Sequence, residues 1–309
     1  MNIRLGYVSI SKTLNITCSK TITYSNFKKN NDLNKLDKII IENLNNLEKI
    51  IDYNIKNNIH FYRLTSKLIP LATIDNIDFD YINKYKKYYQ KIGQKINEHQ
   101  IRIDVHPDQF CVLNSTKSEV VKNTHKILEY HYNILEALNI KDKVIILHVG
   151  SSVLGKENSI KRFINNFYKL PSHIRKCIVI ENDDKIYNVL DCLNLCKQLN
   201  IPFVLDYHHH ICNSIDNIED YLADIFNTWK YIPKIHFSSP KANTKKDFRS
   251  HHDYINIDDF IDFLNKIKGL NDNLDIMIEA KAKDEALFKL TRLLKYNNYK
   301  FIDETTFIN

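Results

Sequence analysis

The sequence predicts a (β/α)8 barrel, the TIM-barrel class of α/β fold, formed as a single domain over residues 1–309. Three observations lead there. Short apolar runs of β-type residues recur eight times along the chain. Helical patterns separate them. Most of the runs end on a histidine or a carboxylate. Eight strand–helix units are the count of this barrel, and the length of 309 residues suits it. A doubly wound open sheet is the competing class. So many consecutive units are unusual for it, and no glycine-rich phosphate loop supports it.

The first run is residues 3–9. An amphipathic segment follows over 33–55, with Leu36, Ile39, Ile40, Leu44, Leu47 and Ile51 on one stripe. The second run, 59–64, is paired with a helix over 81–97. The third, 101–106, is closed by Pro107 and precedes a helical pattern over 120–138. The fourth is 144–148, with a helix around 160–168. The fifth, 177–181, leads into a helix over 187–199. The sixth starts at Pro202 and runs Val204-Leu205-Asp206-Tyr207-His208-His209-His210. Its first half reads as a buried strand. A tight turn after it aims Asp206 and His209, three residues apart, at one point. The seventh is 234–237 with a helix over 257–267, and the eighth is 274–279 with a helix over 284–295.

Composition narrows the class. The chain is 43% hydrophobic and 26% charged, as globular proteins are. No stretch approaches the ~18 apolar residues of a membrane span. The N-terminus lacks the apolar region of a signal peptide, so an intracellular protein is expected. The six cysteines form no Cys-x-x-Cys pair, and with thirteen histidines present a metal site here uses nitrogen and oxygen. A formal charge of +7 permits nucleic-acid binding without demanding it. Few glycines and prolines leave no sign of a linker.

The strand ends carry the chemistry. His106 closes the third run, His148 the fourth and Glu181 the fifth. Asp206 and His209 close the sixth, His236 lies late in the seventh, and Glu279 closes the eighth. In such a barrel these ends converge at the C-terminal mouth, where active sites sit. Crowded carboxylates and imidazoles repel one another or stay unsatisfied unless cations lie among them. The set exceeds what one ion takes, so two or three divalent ions are expected, Mn2+ or Zn2+ rather than Mg2+ or Ca2+. Paired metals suit phosphodiester hydrolysis; a metal pair in a barrel also suits sugar isomerisation. Lys234 shares the face of His236. Gln109 and Phe110 sit on the loop that leaves the third strand.

The segments Arg4-Leu5-Gly6-Tyr7, Phe61-Tyr62-Arg63-Leu64-Thr65-Ser66, Val105-His106-Pro107-Asp108-Gln109-Phe110, Glu181-Asn182-Asp183-Asp184, Leu205-Asp206-Tyr207-His208-His209, Lys234-Ile235-His236-Phe237, His251-His252-Asp253-Tyr254 and Met277-Ile278-Glu279-Ala280-Lys281 stand out. Together they resemble the UV damage endonuclease family. The resemblance implies a metal-dependent DNA repair endonuclease that nicks 5′ to UV photoproducts and starts excision repair. It also implies kinship with endonuclease IV, an apurinic-site nuclease. The implied ligands are His106, His148, Glu181, Asp206, His209, His236, His251 and Glu279. His251 enters through the resemblance alone, with His252 as its rival. Glu181 and Glu279 are expected to bridge metals, and Lys234 is kept as a candidate catalytic residue. Gln109 and Phe110 fall on the damage-probing position, with Tyr7 as a companion. The expected partner is double-stranded DNA with UV lesions, bound by a monomer away from membranes. One departure stands out: Ile74, followed by Asp75, occupies a place where the family pattern has a ligand histidine. A sugar isomerase or epimerase, an apurinic-site endonuclease and an inactive DNA-binding module are the readings set against this one.

Overall fold

A computed structural model describes residues 1–75, 77 and 79–309. Its parallel strands are β1 (Asn2–Val8), β2 (Phe61–Leu64), β3 (Arg102–Val105), β4 (Ile145–His148), β5 (Ile178–Glu181), β6 (Phe203–Asp206), β7 (Lys234–Phe237) and β8 (Asn273–Ile278). They stand side by side in chain order, and β1 closes the barrel by pairing with both β8 and β2. The helical layer holds α1 (Tyr24–Asn30), α2 (Leu33–Lys56), α3 (Tyr81–Lys84), α4 (Lys86–Glu98), α5 (Ser118–Ala137), α6 (Lys156–Lys169) and α7 (Ser172–Arg175). It continues with α8 (Val189–Leu199), α9 (Tyr207–Cys212), α10 (Glu219–Asn227), α11 (Ile257–Lys266) and α12 (Asp284–Tyr296). Two short strands follow, β9 (Lys300–Phe301) and β10 (Thr306–Ile308).

The predicted stripe of α2 does its expected work. Leu36, Ile40, Leu44, Leu47 and Ile51 are buried, while Ile39 is half-buried at its edge. Each buried side chain of this size contributes roughly 1.5–3 kcal/mol of transfer free energy. Asp32 caps the helix start by accepting from the Lys35 amide at 2.9 Å. The helix predicted over 81–97 is two helices instead. Tyr85 leaves helical geometry (φ −108°, ψ 18°), and its hydroxyl donates to Asp37 Oδ1 of α2 at 2.7 Å. A buried tyrosine with a distant partner sets the backbone there, which helical periodicity cannot reveal.

Strand alternation divides the barrel into layers. Val144, Ile146, Val179 and Val204 form an apolar cluster with Trp229. Higher in the lumen the inward positions turn polar: Arg63, Asp104 and Lys234, then His236, Glu181 and Asp206, all buried. The register sets His148 beside Glu181 and Asp206 beside His236. Closure between β1 and β2 depends on Gly6, because a Cβ there would lie 2.3 Å from the Phe61 carbonyl oxygen. β1 meets β2 only through Tyr7 and Val8, and its first residues pair antiparallel with β10 instead. That C-terminal hairpin was not expected, since its strands are too short to carry a pattern.

Candidate metal centre

Glu181, at the end of β5, is the hub of the mouth. Its side chain is 1% exposed. His106 Nε2 lies 2.7 Å from Glu181 Oε2, and His148 Nε2 lies 3.5 Å from the same oxygen. His236 Nδ1 lies 2.6 Å from Oε1, with His209 Nδ1 at 3.8 Å. Two sets have the spacing of metal ligands: His106, His148 and Glu181; and Glu181, Asp206, His236 and Glu279. Glu181 belongs to both, so one carboxylate can bridge two centres.

His209 and His251 flank these sets, their rings 6.2 Å apart. Their Nδ1 atoms face backbone carbonyls, Asn182 O at 3.0 Å and Glu279 O at 2.8 Å. A carbonyl only accepts, so Nδ1 carries the hydrogen and Nε2 keeps its lone pair for a ligand role. His106 is oriented the same way by Pro107 O at 3.0 Å. His252 is exposed and accepts the Tyr254 amide at 2.9 Å, so His251 is the member of the pair held beside the other candidates.

The turn expected after β6 is the first turn of α9. Asp206 caps it, Oδ1 accepting from the His209 amide at 2.8 Å. Asn182 fixes the strand end reciprocally, donating to Asp206 O at 3.0 Å and accepting the Asp206 amide at 2.8 Å. Of the triplet, His208 and His210 are buried away from Glu181, and only His209 reaches it.

Electrostatics separates the three carboxylates. Burial raises the pKa of Glu181, but His236, His148 and His106 outweigh it and hold the carboxyl well below its ordinary range. Glu279 is likewise held low against burial, chiefly by Arg63 and His236. Asp206 lacks such a cation beneath it, and burial pushes it up to about 7. Burial also lowers His209, yet Asp206, Glu181 and Glu279 raise it to about 9. Among the described residues, Asp206 Oδ2 is a buried oxygen without a hydrogen-bond partner. An orphaned polar atom is costly in a folded interior, and a divalent ion at the set of Glu181, Asp206, His236 and Glu279 would complete it. The donor set therefore fits nitrogen- and oxygen-ligated metal.

Under the ligands lies a layer that sequence reasoning missed. Arg63 Nε donates to Asp104 Oδ1 at 3.2 Å, Nη1 to Glu279 Oε1 at 2.5 Å, and Nη2 to His236 Nε2 at 2.5 Å. His236 is thus engaged on both ring nitrogens, and burial together with Arg63 takes its pKa down to about 4. Lys234 is fully buried and pairs with Asp104 Oδ2. Burial lowers Lys234 to about 7. The signal for Asp104 was available, since strand alternation turns it inward with His106; Arg63 lies on a strand where no residue had been chosen.

Gln109 is exposed and Phe110 is 72% exposed. Asp108 Oδ1 accepts the Phe110 amide at 2.9 Å, and buried Cys111 and Leu113 anchor the loop. Tyr7 is a correction. Gly6 and Val8 face the lumen, so Tyr7 faces α2, fully buried, with its hydroxyl donating to Asn54 Oδ1 at 2.9 Å. It cannot touch DNA from there. Asp75, next to the departure at Ile74, does not stand in for the missing ligand. Its carboxylate is 71% exposed and held by Lys126 of α5 at 2.5 Å, away from the two ligand sets. Ile74 lines a shallow outer cavity with Asp75, Tyr81 and His125.

Comparison with known proteins follows the same line. The family model described as UV-endonuclease UvdE matches residues 3–307. The UV DNA damage endonuclease of Bacillus cereus (strain B4264) is 43% identical over 299 residues, covering 94% of each chain. That of Bacillus thuringiensis subsp. konkukian (strain 97-27) is 42% identical over 303 residues, covering 95% of each. The crystal structure of SacUVDE superposes with a TM-score of 0.88 at 37% identity, over 96% of this chain and 99% of that one. Endonuclease IV from Thermus thermophilus gives 0.58 at 12% identity, over 95% of this chain and 99% of that one, a likeness of fold alone.

Proposed function

The chain belongs to the UV-endonuclease UvdE family, and on that premise we propose that it is a metal-dependent DNA repair endonuclease. It nicks the phosphodiester backbone 5′ to UV photoproducts and so initiates excision repair. The observation that carries the reading is Glu181, one buried carboxylate common to two ligand sets at the barrel mouth. His106 and His148 would hold one ion with it; Asp206, His236 and Glu279 would hold another, and His209 and His251, flanking these sets, would serve a third. Mn2+ is the proposed ion, with Zn2+ as the alternative. Divalent ions held there supply Lewis-acid stabilisation of the phosphate and lower the pKa of water.

The chain's own residues do the rest. Glu181 and Glu279 stay ionised across neutral pH and supply the negative charge of the centre. Asp206 takes on charge as a cation approaches. Nδ1 contacts to backbone carbonyls orient His106, His209 and His251. Lys234 acts through Asp104 and Arg63, positioning Glu279 and His236 rather than touching substrate. Exposed Gln109 and Phe110 probe for weakened stacking, which damaged bases offer. The positive formal charge assists a monomer in tracking the duplex wherever the cell keeps its DNA. A sugar epimerase on the same barrel needs an enclosed small pocket and has no use for a phenylalanine standing 72% exposed at its mouth.

The test is nicking of UV-irradiated against untreated duplex, with and without Mn2+, alongside elemental analysis. Nicking confined to irradiated DNA, abolished by chelator, with two or more ions per chain, is expected. Active protein carrying one ion or none rules the mechanism out.

A further inference from the structure

Two large apolar side chains stand exposed on another loop of the same mouth. The loop leaving β4 carries Val153, 50% exposed, and Leu154, 72% exposed. Single exposed apolar residues are ordinary and mean nothing alone. What sets this pair apart is how firmly the tip is built. Val153 O accepts from Arg162 Nη2 at 2.5 Å and from the buried Ser159 Oγ at 3.0 Å. Leu154 O accepts from Asn158 Nδ2 at 2.9 Å. Leu154 itself sits at φ 65°, a conformation that bulky L-residues rarely adopt, next to Gly155 at φ 91°. Leu71, at φ 62°, shares this backbone region, but Leu154 combines it with a well-tied tip and an outward-facing side chain at the barrel mouth.

The same arginine ties this loop to the one carrying Phe110. Arg162 Nε donates to Asn114 O at 2.9 Å, and Asn114 Nδ2 donates to Ser151 O at 2.6 Å. Asn166 Nδ2 adds a bond to Leu113 O at 2.7 Å. The roots of the two loops are His106 and His148, which both reach Glu181. The two apolar tips are therefore parts of one stitched unit anchored at the candidate metal centre.

We propose that Val153 and Leu154 form a second apolar contact to the damaged duplex, acting with Phe110, and that Arg162 is the positioning residue fixing both tips. The proposal rests on the endonuclease reading, and continuity with that mouth identifies duplex DNA as the occupant. Apolar side chains pressed into the minor groove unstack and bend a duplex. Tips already held in place lose little entropy on binding.

The test uses the metal-loaded protein and a UV-irradiated duplex in fluorescence anisotropy. Wild type must bind the irradiated duplex; if it does not, the endonuclease reading falls and takes this proposal with it. Val153→Ser with Leu154→Ser is expected to weaken binding about 10-fold, the order expected when two apolar side chains lose partial burial. Metal content should be unchanged. Leu154→Gly relieves the backbone at φ 65°, so its thermal midpoint should hold or rise while affinity falls. That variant decides the matter even where the double variant fails to fold. Wild-type affinity in both variants, against a wild type that binds, overturns the proposal.

Discussion

Asp206→Asn separates what a buried carboxylate costs from what it does. Asn caps helices as well as Asp, so the bond from the His209 amide to residue 206 survives. The reciprocal bonds with Asn182 involve only the backbone of residue 206 and survive too. The carboxyl is raised from 3.8 to about 7 by burial. An acid with a raised folded-state pKa is charged in the unfolded chain before it is charged in the folded one. Stability therefore falls as pH rises from about 4 to about 7 and is level above that. At one pKa unit per 1.36 kcal/mol, the ionised carboxyl costs the metal-free protein about 4 kcal/mol at neutral pH. With an unfolding entropy of about 2 cal/mol/K per residue, this amounts to about 7 °C. Calorimetry in chelator at pH 7.5 should show Asp206→Asn melting higher than wild type by that amount, and the gap should close near pH 4. With Mn2+ the order should reverse, because ligand binding stabilises only the chain that binds it. Nicking should be lost. A variant that melts lower than wild type in chelator refutes the reasoning, since the carboxylate would then be favourably paired without metal.

Glu279→Gln should also abolish nicking with DNA binding largely kept, but it should lower stability, because it takes a partner from buried Arg63. Breaking a buried pair costs about 3–5 kcal/mol, less here because Asp104 remains; urea melts in chelator check the sign. Gln109→Ala with Phe110→Ala should weaken binding to irradiated duplex far more than to undamaged duplex, with metals retained. Equal loss on both substrates, read by competition anisotropy, would make the pair structural. Asp75→Ala should leave metal content and rate unchanged, as its carboxylate faces Lys126 at the surface. Ile74→His is the companion test: a gain in Mn2+ affinity by titration calorimetry would mark residue 74 as a lost ligand, and no change would place it outside the centre.

The barrel and the rim were legible because strands impose a period of two and the barrel imposes one common end. A histidine or carboxylate closing a run needs no tertiary information to be placed. The same period, applied one step further, puts Tyr7 on the helix side between Gly6 and Val8, and places Asp104 in the lumen with His106. The hairpin of β9 and β10 was beyond reach, since two- and three-residue strands have no periodicity and β10 is defined by its partner in β1. The orientation of Asp75 was out of reach for a related reason: being next in sequence to an expected ligand position says nothing about which way a loop side chain turns.

The hidden layer answers a question the sequence raised, namely why a lysine should lie under a cation site. Asp104 stands between Lys234 and Arg63 and accepts from both. Arg63 then passes positive charge upward, its remaining nitrogens facing Glu279 and His236. Glu279 is thereby kept ionised whatever lies above it, and His236 is kept neutral. Asp206 has only His209 beside it, and burial leaves its pKa near 7. The mouth is thus graded, with one edge ionised well below neutral pH and the other ionising only near neutral pH. A graded site gives up less burial energy than one with three bare carboxylates, and it still presents full negative charge where cations gather. Lys234 could be placed on the face of His236 from the sequence, but its purpose and that of Arg63 appear only when Asp104 is seen between them.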